Sequence, residues 1–200
     1  MLNDTELSMS MQRYTNNAVA YLKQKGHLLP TLVILNKGAP LDIQIKHKHI
    51  LEMEAKGDDT DLFDQDDSEK IYEYGIAFKL DENYRDSFMN EVAAKIARRY
   101  KPDAIGALSA CLFKDYQSSE EFSGHKVGDI QWDPEAVRVI YSSYYLKGTS
   151  NPNYMLIPYL LNKKEDTTFG DDNEYDLSTI NSSWKTGDDK VQQILNYPYK

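Results

Sequence analysis

The stretch 71–113, IYEYGIAFKLDENYRDSFMNEVAAKIARRYKPDAIGALSACLF, decides the fold. Its first ten residues alternate, with Tyr72, Tyr74, Ile76, Phe78 and Leu80 on one side and Glu73, Gly75, Ala77 and Lys79 on the other. Alternation at period two predicts a strand over 71–80. The period then changes. Tyr84, Phe88, Val92, Ala93, Ile96, Ala97 and Tyr100 form one apolar stripe at helical spacing, which predicts a helix over 82–100. Asp81 is its expected cap, and Pro102, which cannot continue a helix, closes it. Residues 104–113 are apolar or small on both faces, the pattern of a central strand covered on both sides. Strand, helix and strand in this order predict one βαβ crossover. Gly106, Ala107, Ser109 and Ala110 are small enough to let the helix approach closely.

Working towards the N-terminus, Thr31 to Leu35 is a short apolar run suited to a buried strand. Asn36-Lys37-Gly38-Ala39-Pro40 has turn chemistry. Leu41, Ile43 and Ile45 then alternate with Asp42, Gln44 and Lys46, so 31–46 reads as a hairpin. Upstream, Leu7, Met11, Tyr14, Ala18 and Leu22 predict a helix over 5–25, with Asp4 or Thr5 as cap and Gly26 at its end.

Working towards the C-terminus, 136–146 (AVRVIYSSYYL) and 154–161 (YMLIPYLL) read as two antiparallel strands. Pro158 lacks an amide hydrogen, so its strand is expected at an edge or bulge. Tyr144 and Tyr145 point to opposite faces and can both be internal only if the sheet is covered twice. A short helix is expected at 188–196. The fold class is therefore α+β, a mixed, largely antiparallel sheet packed by helices 5–25 and 82–100. Residues 1–200 read as a single domain with an acidic loop at 57–69 and long loops at 114–135 and 162–187.

Composition narrows function. Asp and Glu number 32 against 23 Lys and Arg, a formal charge of -9. A surface this negative repels phosphate, which argues against broad contact with nucleic acid or anionic lipid and favours a protein partner. Lys95, Arg98, Arg99 and Lys101 are the one dense basic group, and they read first as cations favoured by the negative end of a helix. Cys111 is the lone cysteine, so no intrachain disulfide can form, which fits a reducing, cytoplasmic setting. No leader-like pattern is expected in the first thirty residues, nor a membrane-spanning run anywhere.

Four groups of residues invite a chemical reading. His47 and His49 would share one face of a strand and offer two imidazoles to a divalent metal, with Glu52 and Glu54 close behind, although a closed zinc site wants four ligands. Asp42, Glu54 and Lys56 resemble the carboxylate and carboxylate-x-lysine arrangement of metal-dependent nucleases of the restriction-endonuclease type; that resemblance implies a metal on the two carboxylates and a lysine polarising water. Cys111 sits in a small-residue strand, where cysteine is most often inert packing. Lys114, Asp115 and His125 lie beyond the end of strand 104–113, where ligands of open sheets often bind, and could take an anion together with the start of helix 82–100. No glycine-rich phosphate loop, serine elbow or zinc-cysteine set is present. No cofactor is expected beyond that divalent metal. The sequence thus favours a noncatalytic protein-binding or regulatory module, with a metal-dependent hydrolase or nuclease as the alternative.

Overall fold

The computed structural model describes residues 2–45, 50–57, 69–79, 82–114, 134–158, 160–162, 174–176, 185–186, 195 and 197–199. The elements are α1 (Asp4–Lys25), β1 (Thr31–Lys37), β2 (Ile50–Gly57), β3 (Ile71–Phe78), α2 (Glu82–Tyr100), β4 (Ala104–Phe113), β5 (Val137–Leu146), β6 (Asn153–Pro158), β7 (Leu160–Asn162), β8 (Glu174–Asp176) and β9 (Lys185–Thr186). One sheet has the order β2-β3-β1-β4-β5-β6-β9, and β7 pairs with β8 separately. The chain is α+β, with helices packed on an antiparallel sheet.

The middle of the sheet is buried on both faces, as the twofold apolar pattern of 31–35 and 104–113 requires. Leu32 and Ile34 of β1 join Ile105 and Ala107 of β4 in one core with Met89, Val92, Ala93, Ile96 and Ala97 of α2. Val33, Leu35, Ala104 and Leu108, of opposite parity, join Leu7, Met11 and Ala18 of α1 in another. The two helices therefore cover opposite faces. Tyr144 packs in the α1 core and Tyr145 in the α2 core, at 2% and 3% exposure, so the sheet is covered twice where these neighbours sit. The α1 face also carries polar contacts. Tyr144 OH lies 3.2 Å from Ser8 Oγ, Thr15 Oγ1 lies 3.0 Å from Ser142 Oγ, and Arg13 pairs with the buried Glu73 carboxylate.

β3 and β4 both run antiparallel to β1, which lies between them, so they share a direction but do not pair. The direct parallel pairing implied by a simple crossover is absent among the described residues. β1 supplies each of the two strands with an antiparallel neighbour instead. α2 occupies the bounds expected for it, while its expected cap, Asp81, lies outside the described residues.

The hairpin expected over 31–46 does not form. β1 stops at Lys37, residues 38–45 are not in a strand, and β3 pairs with β2 at 50–57. The alternation of 41–45 is nonetheless real burial: Ile43 is buried, and Leu41 and Ile45 pack against the α2 core. The segment lies on the core without joining the ladder. Pro40 has no amide to give, and the Leu41 amide donates to Tyr74 OH.

The start of α1 is also one residue earlier than read. Asn3 caps it: Asn3 Oδ1 accepts from the Glu6 amide at 2.9 Å, and the Asn3 amide donates to Glu6 Oε2 at 2.9 Å. This reciprocal box satisfies two amides that a helix start leaves open. Gly26, with φ 75°, closes the helix and donates to Leu22 O at 2.8 Å.

At the far side, β5 and β6 pair antiparallel, and Pro158 is the last residue of β6 in register, opposite Val139. Within 162–187, read as irregular, β8 and β9 are short strands. The acidic stretch is described only at its ends, where Gly57 closes β2 and Glu69 pairs with Lys37 at 2.6 Å. Of the helix expected at 188–196, Leu195 alone is described, and it is buried in the α2 core.

Candidate functional site

His47, His49, Asp115 and His125 lie outside the described residues. Lys114, at the end of β4, is nearly buried and pairs with Glu135 at 3.0 Å. Asp42 is exposed and accepts from the Gln44 side chain at 3.1 Å. Glu54 and Lys56 fall on β2. Among the described residues, no group of three or more His, Cys, Asp and Glu stands where it could hold a metal ion. Cys111 is half-buried on β4. No helix among the described residues is long and apolar enough to cross a membrane.

The basic group at the end of α2 divides. Lys95 pairs with Glu91 one turn back, and the Arg99 guanidinium sits 5.2 Å from the centre of the Tyr100 ring. Arg98 and Lys101 instead border a half-open cavity of about 400 Å³, lined also by Ala97, Lys147, Gly148, Tyr197 and Tyr199. Among the described residues, no carboxylate pairs with Arg98, Lys101 or Lys147.

Three separate segments build this corner. The first is the exit from α2. Lys101 donates its amide to Ala97 O at 3.1 Å and takes φ 50°, the left-handed conformation that ends many helices and that glycine usually fills. Pro102 and the buried Asp103 then lead into β4. The second segment is the turn after β5. Thr149 donates its amide to Leu146 O at 3.0 Å, and Gly148, with φ 90°, supplies the positive angle. The Lys147 amide donates to Asp103 O at 2.9 Å, and its Nζ reaches Lys101 O at 3.3 Å. The turn is thereby tied to the helix exit.

The third segment is the C-terminal stretch. Leu195 anchors it in the core. The Tyr197 ring lies 5.6 Å from that of Tyr145 and 5.8 Å from that of Tyr199. Tyr199 OH donates to Pro102 O at 3.1 Å. Burial, and then the Asp103 carboxylate, push the Tyr199 hydroxyl well above its ordinary range, so it stays a neutral donor. Asp103 is the acidic group beside the cavity, and its Oδ2 accepts from the Lys37 amide at 3.0 Å.

The described lining is a cationic rim beside an aromatic wall. The sequence reading saw Arg98 and Lys101 but assigned them to the helix end. It missed Lys147, Tyr197 and Tyr199, which reach the same corner from 46 to 98 positions beyond Lys101 in the chain. No protein-family model, curated protein or solved structure matches this chain.

Proposed function

We propose that this chain is a noncatalytic protein-binding module that takes an anionic group of its partner in the cavity at the end of α2. The observation that carries the reading is the origin of the cations. The helix dipole accounts for Arg98 and Lys101 at a helix C-terminus, but not for Lys147, which a separate turn brings to the same rim. Among the described residues no carboxylate pairs with these cations; clustered cations raise one another's energy, and an anion relieves that repulsion. In a chain of charge -9 such a patch is local, and the rest of the surface repels an anionic partner. The remaining surface limits the partner to those that present negative charge locally.

Calorimetric titration with a short glutamate-rich peptide tests this. Saturable binding is expected, weakening as salt rises, and lost in the double variant R98Q/K147Q. Absence of binding at low salt, or binding that the double variant retains, would overturn the reading.

A further inference from the structure

We infer that the anionic group is a phosphorylated tyrosine of the partner; this rests on the proposed role of the cavity. Three features single out that ligand. The rim carries three cations, Arg98, Lys101 and Lys147, whose charge exceeds what one carboxylate answers. A phosphoryl group carries about -1.5 to -2 and three acceptor oxygens, and Arg98 can meet two of those oxygens with its planar fork. The wall is the second feature. Ala97 and the rings of Tyr197 and Tyr199 line a space of about 400 Å³, more than a bare phosphoryl group fills. An aromatic ring carrying the phosphoryl group meets wall and rim together, because rings pack on rings at spacings such as the 5.8 Å of the tilted Tyr197–Tyr199 pair. A phosphoserine would leave the wall empty.

The third feature is Lys101. It holds φ 50° at the position where helices ordinarily end on glycine, so the chain keeps a long cationic side chain at a strained place. Lys147 Nζ reaches the carbonyl of that same residue, and both lysines border the cavity. Asp103 offsets part of this charge, and its carboxylate also accepts from the Lys37 amide.

The test is NMR and calorimetric titration of the full chain with five probes. These are phenyl phosphate, a tyrosine-phosphorylated peptide, the same peptide with phosphoserine or glutamate at that position, and adenosine monophosphate. The expected result is that phenyl phosphate shifts the Lys101, Lys147 and Tyr197 signals. The phosphotyrosine peptide should bind about tenfold or more tightly than either substituted peptide, and R98Q should remove that advantage. Lys101→Gly should weaken phosphopeptide binding without lowering the melting temperature, which separates lost contact from lost fold. Equal affinity for the glutamate peptide would overturn the phosphotyrosine inference and leave the protein-binding reading standing. Equal affinity for phosphoserine would overturn the role given to the aromatic wall, and tighter binding of adenosine monophosphate would point to a nucleotide instead. Failure of every probe would overturn both readings.

Discussion

Gly106 of β4 lies directly under Met11 of α1: a β-carbon at residue 106 would stand 2.6 Å from Met11 Cε and 2.8 Å from the Ser143 carbonyl oxygen. The helix rests on the sheet at this distance because the strand has no side chain there. Gly106→Ala should destabilise by about 1–3 kcal/mol, because Met11 can shift but the Ser143 backbone cannot. Met11→Ala alone should cost about 2–5 kcal/mol as a fully buried truncation, and less in the Gly106→Ala background. A double-mutant cycle in urea measures the coupling, and strict additivity would count against the contact.

On the other face, Ile96 of α2 is 1% exposed and packs in the core with Ile105 and Ala107. Ile96→Ala should cost about 2–4 kcal/mol in denaturant titration. A loss under about half a kcal/mol would contradict its burial.

Lys101 separates strain from charge. Lys101→Gly should stabilise the fold by about 0.5–1 kcal/mol, because glycine accepts φ 50° without a β-carbon penalty. Lys101→Ala keeps the strain and removes the same charge, so it should show no such gain. Thermal melts of the two variants side by side check the difference.

The capping box gives stability a pH dependence. The hydrogen bond from the Asn3 amide and then the Lys37 ammonium hold the Glu6 carboxyl below its ordinary value of 4.5. The folded state thus favours the charged form. This contribution is fully present above the ordinary value and is lost as pH falls through the lowered one. Lys37, paired with Glu6 and Glu69, is raised from 10.5, so its contribution holds below that value and is lost only as pH rises through the folded one. Glu6→Gln should therefore flatten the acid limb of a stability–pH curve. Asn3→Ala should cost about 1 kcal/mol at neutral pH. An unchanged acid limb in Glu6→Gln would show that the box contributes nothing to it.

The sequence by itself determined α1, α2, β1, β3, β4, β5 and β6, and that the central strand is covered on both sides, but not β2. The stripe from Phe88 to Tyr100 and the small-and-apolar run 104–113 were legible because a helix and a strand repeat at different periods, and each period is written within a few residues. Tyr144 beside Tyr145 posed a condition, that both are internal only in a sheet covered on both faces, and both are buried. Local periodicity, however, reports burial and not partnership. Leu41, Ile43 and Ile45 alternate as a strand would, yet they pack on the core outside the ladder, and β1 instead takes β3 and β4 as neighbours. Only the tertiary structure decided that order, since pairing is a competition among segments far apart in the chain. The cavity depends on the same kind of fact. Arg98, Lys147 and Tyr197 meet because Ala104 pairs with Leu146 and because Leu195 is buried under α2. No spacing within the sequence carries those contacts.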